Sequence, residues 1–339
     1  MKRLVAIGLL SLMGAAPAAH AEGSLNVICS NLQSDCDGMK VEFEKATGVK
    51  VNVVRVSAGE AYAKLRAESR NPKTDIWYGG TNDPHVQAAQ EGITLSYETP
   101  KLANLHDWAV KYSKDNEYRS VALTIFALGF TWNEEVLKKK NLEAPKCWAD
   151  LLKPEYKGEI ELANPNSSGT GYTVVMSLVQ LMGEEGAFDY LKKLNENVSG
   201  YAKSGPAPAM NAARGETSIG IIHLQDAVDI QAQGFPMQYV APCEGTGYAM
   251  GAMSIVKGAR NLENARKWYD WMLEGKTQEL FPKYHGYSFP SAKDATLAKE
   301  VVDIRDMKLL DTDRASFGSP ERRKELIQRW NDDIGNTRK

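Results

Sequence analysis

Small polar residues and glycines are concentrated between Asn164 and Tyr172, where a predicted strand passes into a predicted helix. Ser167, Ser168, Gly169 and Thr170 offer hydroxyl groups and accessible backbone N–H groups at the start of that helix. A helix N-terminus carries about half a positive charge, and glycine lets a ligand approach the backbone closely. The segment therefore predicts a cradle for phosphate or carboxylate that needs no Lys or Arg. A well-capped helix without a ligand is the alternative interpretation.

Serine and threonine also end other predicted strands. Ser30 follows the first strand, Ser57 and Thr81 precede predicted helices, and Ser204 lies in a further small polar turn. In an open parallel sheet, ligands bind at the carboxyl ends of the strands. We therefore expect these four residues to assist the anion turn, although helix capping alone would also explain Ser57 and Thr81.

Polar side chains of a different kind lie near strand ends in the second half of the chain: His223, Gln225, Asp226 and Glu244. Carboxylate, amide and imidazole groups suit hydrogen bonding to sugar hydroxyls. The structural alternative makes His223 a satisfied strand residue and Asp226 a helix cap. The aromatic residues Trp77, Tyr78, Trp132 and Trp148 are expected in the core.

Signatures of catalysis are absent from the sequence, which has no G-x-S-x-G, no H-E-x-x-H and no Walker loop. Asp35-Cys36-Asp37-Gly38 matches only the beginning of a calcium loop and is interpreted as a polar turn. We expect neither an enzyme nor a bound cofactor or metal. The 41 basic and 43 acidic residues give a net charge of -2, which does not favour nucleic acid as a partner.

The N-terminus has the pattern of a secretory leader. Lys2 and Arg3 precede the apolar run 4–16, and Ala19-His20-Ala21 matches a signal peptidase site. The apolar run of about 13 residues is shorter than the roughly 20 that a membrane-spanning helix requires. We predict a signal peptide over residues 1–21, cleavage after Ala21 and export to the periplasm.

The four cysteines all follow this leader and are expected to form disulfide bonds in an oxidising compartment. Of the three possible connectivities, we favour Cys29–Cys36, which closes a small loop and leaves Cys147–Cys243 as a long-range bond. The sequence has no C-x-x-C, and no His lies at zinc-like spacing, so a zinc site is not expected.

Predicted strands and helices alternate along the exported part, which indicates an α/β protein with mainly parallel sheets. We predict a first lobe over residues 22–124, a second lobe over 125–247 and a return to the first lobe over 248–339. The C-terminal tail, from about Leu297, is expected to be charged and helical. The sequence contains no long Pro/Ser linker, so crossover strands are expected to join the lobes.

Three segments carry a resemblance to a known family: 146–152 (KCWADLL), 164–170 (NPNSSGT) and 242–248 (PCEGTGY). With them the chain resembles periplasmic solute-binding proteins of ABC importers, specifically the ferric-binding-protein-like branch and its hexose-phosphate binders. The resemblance implies a type II-like two-lobed fold with hinge strands, closing on one small solute. It also implies an inner-membrane permease as partner, and we expect a monomer.

For the ligand, the resemblance implies phosphate on the turn 167–170. Ferric members of the branch hold iron with adjacent tyrosines, but no two tyrosines are adjacent in this chain. Hexose-phosphate binders use a His-Asp pair and a Glu for the sugar; Asp226 and Glu244 match, whereas Gln225 occupies the His position and His223 is displaced. We therefore predict a sugar phosphate as ligand. Ferric iron with an anion, 2-aminoethylphosphonate, and a hydrolase using Asp226 or Glu244 as base are the alternatives.

Overall fold

Strands and helices alternate from Ser24 onwards in a computed structural model of the chain, which describes residues 23–284, 286–310 and 319–337. The predicted signal peptide and the cleavage point after Ala21 lie outside these residues. Within the described ranges, no helix is both long enough and apolar enough to cross a membrane.

Ten strands and eleven α-helices are described. The strands are β1 (Ser24–Cys29), β2 (Lys50–Arg55), β3 (Ile76–Thr81), β4 (Val121–Asn133), β5 (Ile160–Ala163), β6 (Val198–Ala202), β7 (Ile219–His223), β8 (Met237–Val240), β9 (Tyr248–Ile255) and β10 (Phe289–Pro290). The helices are α1 (Gln33–Thr47), α2 (Ala58–Glu68), α3 (Asn82–Gln90), α4 (Asp107–Asp115), α5 (Glu134–Lys140), α6 (Gly169–Asn197), α7 (Ala207–Arg214), α8 (Leu224–Ala232), α9 (Leu262–Met272), α10 (Gly275–Gln278) and α11 (Pro320–Asp333). Short 3-10 helices include Trp148–Leu152 and Phe281–Tyr284.

The strands form a curled, mixed sheet in the order β2-β1-β3-β9-β4-β7-β5-β6. In the first lobe β1 pairs in parallel with β2 and β3, and in the second lobe β5 pairs in parallel with β6 and β7. The predicted α/β class and the two-lobed architecture are confirmed. The sheets are less parallel than expected, because β9 pairs antiparallel with β3 and β4 in the first lobe and β4 pairs antiparallel with β7 in the second.

Strand β4 connects the lobes. Its residues up to Ala127 pair with β9, and its residues from Leu128 pair with β7 and β8. Ala127 belongs to a hydrophobic core with Phe43 and Trp268, whereas Leu128 belongs to a separate core with Phe130. The chain therefore changes lobe within one strand, and the expected crossing near residue 125 falls in that strand.

The C-terminal region departs from the prediction. Residues 297–310 form no helix and run along the first lobe, where Val302 and Ile304 are buried. In the described part of the tail the α-helix is α11, which packs on α6 and buries Leu326 and Trp330 in the core of the second lobe. The tail was expected on the first lobe, but the apolar face of α11 is covered by the second.

Local signals in the sequence agree with the structure at several positions. Ser57 and Glu60 form a capping box at the start of α2. Gly183 adopts φ 71° and divides α6 into two parts. Trp77, Tyr78 and Trp148 are buried as expected, and Trp132 is partly buried against the second core.

Both expected disulfide bonds are present. Cys29–Cys36 joins the end of β1 to the first turns of α1, and Cys147–Cys243 joins the start of the Trp148–Leu152 helix to the segment after β8. The segment 35–38, expected as a polar turn, instead lies within α1.

Candidate functional site

A cavity of about 200 Å³ lies between the two lobes. Six helices begin at its walls, and the residue that caps each N-terminus lines it: Leu32, Ser57, Thr81, Ser168, Pro206 and His223. Each helix N-terminus presents backbone N–H groups without intrahelical partners and a partial positive charge. The fold therefore places several partial positive charges around one cavity, an arrangement that suits an anion.

The structure brings together the residues predicted to bind the ligand, with one exception. Those that line the cavity are Ser30, Ser57, Thr81, Ser167, Ser168, Gly169, Thr170, Ser204, His223, Gln225 and Asp226. Glu244 is not among them.

The turn before α6, residues 167–170, lines the cavity. Ser168 is the N-cap of α6, yet its hydroxyl makes no capping hydrogen bond, so a simple capping role does not account for it. Ser167 Oγ donates to Lys203 O (2.9 Å), which ties this turn to the neighbouring turn 203–206. Thr170 Oγ1 lies 3.2 Å from His223 Nδ1.

The two lobes touch across the cleft. A Cβ atom on Gly169 would lie 2.1 Å from Thr81 Oγ1, so the start of α6 lies directly against the first lobe. Arg323, on α11, forms an ion pair with Asp83 of α3, and its guanidinium stacks 4.4 Å from the ring centre of Tyr172. Helix α11, fixed on the second lobe, thus reaches the turn of the first lobe that carries Thr81.

Cationic residues at the cavity were not assigned by sequence reasoning. Arg55 ends β2 and lines the cavity together with Lys203. Arg55 Nε also donates to Asn31 O (3.0 Å). The position of Arg55 at the carboxyl end of a parallel strand could have identified it as a residue of the ligand site. It was not predicted from the sequence, because an anion at the turn 167–170 needs no Lys or Arg.

The part of the cavity wall formed by His223, Gln225 and Asp226 of the second lobe is largely buried and neutral in character. Burial, reinforced by the nearby charge of Asp229, raises the pKa of Asp226 to about 8. Burial lowers the pKa of His223 to about 3, so its imidazole is neutral. His223 Nε2 and Gln225 Oε1 are buried and have no hydrogen-bond partner among the described residues. Such groups are available to a ligand that offers hydroxyl groups.

Glu244 occupies a different place from the one predicted. Its Oε2 accepts from Trp148 N (2.8 Å) and its Oε1 from Ala149 N (3.1 Å). The carboxylate therefore caps the short helix that begins after Cys147, next to the Cys147–Cys243 bond. The unpaired N–H groups at that helix start take up both oxygens, so the geometry does not support a role for Glu244 in binding a ligand.

One cluster of possible metal ligands occurs among the described residues, formed by Cys147, Cys243 and Glu244 within 4.8 Å of one another. The two sulfur atoms are joined in a disulfide and the carboxylate accepts two backbone N–H groups. The cluster is therefore a structural joint and does not offer thiolate ligands to a metal.

Comparison with known proteins gives the family. A model described as "Bacterial extracellular solute-binding protein" matches residues 71–316. The chain belongs to this family. Its relatives are substrate-binding proteins of ABC transporters and not enzymes, in agreement with the expectation from the sequence.

Two solved structures are similar over almost the whole chain. The periplasmic binding protein AfuA from Actinobacillus pleuropneumoniae, with exogenous fructose-6-phosphate bound, is 41% identical with a TM-score of 0.89; the match covers 93% of this chain and 99% of AfuA. The periplasmic binding protein P5PA is 40% identical with a TM-score of 0.87, covering 92% of this chain and 100% of P5PA. The resemblance to this branch of solute-binding proteins is confirmed.

A solved structure with bound iron has a similar fold. HitA from Pseudomonas aeruginosa, solved with iron, is 16% identical with a TM-score of 0.77, covering 90% of this chain and 98% of HitA. This likeness concerns the arrangement of lobes and strands, not the ligand.

Proposed function

We propose that this protein captures a phosphorylated small organic solute, specifically a sugar phosphate, between its lobes and delivers it to an ABC permease. One observation carries the proposal: the cavity combines six helix N-termini and two cationic side chains with a buried wall of neutral hydrogen-bonding groups. An anion and a polyhydroxyl group are the two parts of a ligand that such a cavity suits.

The phosphate is assigned to the turn 167–170 and the residues around it. The Ser168 hydroxyl there makes no capping hydrogen bond to α6, and Arg55 and Lys203 add positive charge at the same cavity. Hydrogen bonds to a charged acceptor are stronger than neutral ones, and backbone N–H groups at helix starts cost no reorganisation when the anion binds. Ser30, Ser57, Thr81 and Ser204 are proposed to assist.

The sugar is assigned to the wall formed by His223, Gln225 and Asp226. Near pH 7 a carboxyl with a pKa of about 8 is mainly protonated and donates a hydrogen bond, while the neutral imidazole of His223 donates or accepts and the amide oxygen of Gln225 accepts. The fructose-6-phosphate bound to AfuA supports this assignment. We expect Gln225 to influence which sugar phosphate is preferred.

No observation favours ferric iron. Tyr78 is the tyrosine among the described cavity residues, and its hydroxyl donates to Asp35 (2.7 Å). Burial and the Asp35 charge raise the pKa of Tyr78 well above 10, so it does not supply a phenolate.

The leader supports a location in the periplasm. The basic residues, apolar run and Ala-x-Ala pattern of residues 1–21 are those of an exported protein, and two disulfide bonds are stable in an oxidising compartment. We propose that the mature chain begins at Glu22 and acts as a monomer.

Thermal unfolding of the mature protein tests the ligand class. Ligand at about 100 times its dissociation constant adds roughly 2.7 kcal/mol to the free energy of unfolding. Glucose 6-phosphate or fructose 6-phosphate should raise the midpoint, whereas 2-aminoethylphosphonate and ferric citrate serve as the competing ligands. A shift with ferric citrate alone would refute the proposal, and turnover of the sugar phosphate would support a hydrolase instead.

The anion turn has its own test. Ser168→Ala should weaken sugar-phosphate binding by about 1 to 3 kcal/mol, because a charged acceptor loses a donor. Ser199→Ala is the matched control, since Ser199 is exposed on β6 and donates to Ile160 O (3.0 Å). Equal affinities of wild type and Ser168→Ala would remove this residue from the anion site.

A further inference from the structure

Asp35 is a buried carboxyl at the cavity that the proposed function does not use. It lies in the first turns of α1 with 5% of its surface exposed, and it lines the cavity on the first-lobe side. The Cys29–Cys36 disulfide closes the loop that contains it. Its segment resembled only the beginning of a calcium loop in the sequence, and that pattern implied no role.

The hydrogen bonds of this carboxyl are made by one of its two oxygens. Asn31 Nδ2 (2.6 Å) and Tyr78 OH (2.7 Å) both donate to Oδ2. No described residue donates to Oδ1, and no described Lys, Arg or His forms an ion pair with Asp35. Burial raises the pKa of Asp35 to about 6 although both hydrogen bonds oppose the shift. A buried carboxylate without a cation is costly for a folded protein unless another group compensates it.

The surroundings hold this carboxyl in one orientation. The Gly80 N–H donates to Asn31 Oδ1 (3.0 Å), which leaves the Asn31 amide nitrogen directed at Asp35. Gly79 and Gly80 have φ of 80° and 81°, and a Cβ atom on Gly79 would lie 2.1 Å from Asn31 Oδ1. The glycine pair therefore packs on Asn31 and fixes it, so that Asp35 is preorganised rather than mobile.

We propose that Asp35 is a specificity-determining residue whose carboxylate accepts a hydrogen bond from a hydroxyl group on the sugar portion of the ligand. The inference rests on the proposed function and extends it to the first-lobe wall. The two groups that already donate to Asp35 are neutral, and a sugar hydroxyl would be a third neutral donor. The sugar would then be held from both lobes, by Asp35 on one side and Asp226 on the other.

Titration calorimetry with glucose 6-phosphate, fructose 6-phosphate and inorganic phosphate tests the inference. Asp35→Asn should raise the dissociation constant for one or both sugar phosphates about tenfold or more, since hydrogen bonds to charged groups are strong, and change that for inorganic phosphate less than about twofold. Asp37→Asn is the matched control. Asp37 is on the same helix but exposed, with Gln33 Nε2 at 3.0 Å, so its substitution should change neither constant.

Hexose phosphates that lack single hydroxyl groups locate the contact. Wild type should bind one such analogue more weakly than the parent sugar phosphate. Asp35→Asn should bind that analogue and the parent equally well, because the variant already lacks the carboxylate that accepts from the missing hydroxyl. Tyr78→Phe leaves the carboxyl in place and removes one donor to it. This second variant should alter sugar-phosphate affinity several-fold without altering phosphate affinity, and it tests the inference if Asp35→Asn does not fold.

Several results would overturn the inference. Equal losses for inorganic phosphate and sugar phosphate, with a lower unfolding temperature of the ligand-free variant, would make Asp35 a structural support of the Asn31–Gly80 contact. Glucosamine 6-phosphate, which carries an ammonium group, is a further ligand for comparison. If Asp35→Asn weakened the binding of this ligand alone, the group that donates to Asp35 would be an ammonium and not a hydroxyl. If wild type binds sugar phosphates and Asp35→Asn binds them with the same dissociation constants, this inference alone is refuted. No wild-type binding of any sugar phosphate would refute the proposed function as well.

Discussion

Gly169 begins helix α6 on the second lobe, and Thr81 faces it from the first lobe. A Cβ atom at position 169 would lie 2.1 Å from Thr81 Oγ1, 2.7 Å from Cγ2 and 2.9 Å from Cβ. Since φ of Gly169 is not positive, alanine fits the local backbone and the conflict is confined to the contact across the cleft. Gly169→Ala should therefore hinder closure of the lobes without disturbing either lobe.

The size of the effect follows from the overlap. Ordinary contacts of a Cβ atom begin at 3.4 Å, so Thr81 Oγ1 would have to retreat by about 1.3 Å (3.4 minus 2.1). Overpacking of this kind costs about 1 to 3 kcal/mol, which corresponds to roughly 5- to 150-fold weaker binding. The cost falls on the closed form, because separating the lobes removes the overlap. The ligand-free protein should keep its stability, and alanine favours a helix over glycine.

Calorimetry with glucose 6-phosphate measures the loss of affinity, and small-angle X-ray scattering with and without ligand measures closure. Gly59→Ala is the matched control, since Gly59 lies in the first turn of α2 beside the cavity and a Cβ atom there would have no neighbour within 4 Å. Adding Thr81→Ala to Gly169→Ala should recover part of the closure seen by scattering. Wild-type affinity in Gly169→Ala would refute the reasoning, because the bound state would then not contain this contact.

Three further predictions concern other residues of the structure. Glu244→Ala should destabilise the ligand-free protein by about 1 to 3 kcal/mol in thermal unfolding, because Trp148 N and Ala149 N lose their acceptor, and a loss of ligand affinity instead would contradict its capping role. Arg323→Ala should weaken sugar-phosphate binding several-fold by removing the ion pair with Asp83 across the cleft, and unchanged affinity would show that this pair does not favour closure. The pKa of Asp226, raised from 3.8 to about 8, should make the ligand-free protein lose stability as pH rises from about 4 to about 8, because the folded state holds this proton more tightly than the unfolded chain. Asp226→Asn should flatten that dependence of the unfolding temperature on pH, and an unchanged slope would assign it to other groups.

Features that depend on near neighbours in the chain were predictable from the sequence. Three such features involve residues within a few positions of one another. They are the capping box at Ser57, the end of α1 at Gly48 with φ 72°, and the break within α6 at Gly183. The pairing of the four cysteines was also predictable. Cys29 and Cys36 are close enough in the chain to close a short loop, which leaves Cys147 and Cys243 as the remaining pair. The cavity residues were predictable as a group because the carboxyl ends of parallel strands meet at one edge of each lobe.

The sequence alone therefore predicted the α/β class and the two disulfide bonds that the structure contains, together with a leader and an anion turn that stay predictions, and the family resemblance narrowed the expected ligand class. Only the tertiary structure decided where Glu244 and α11 lie, that Asp35 reaches the cavity, and that Gly169 meets Thr81. The physical reason is that a carboxylate near a strand end has the same local signal whether it faces a ligand or caps a distant helix. Likewise, the periodicity of an amphipathic helix shows that one face is buried but not which lobe buries it.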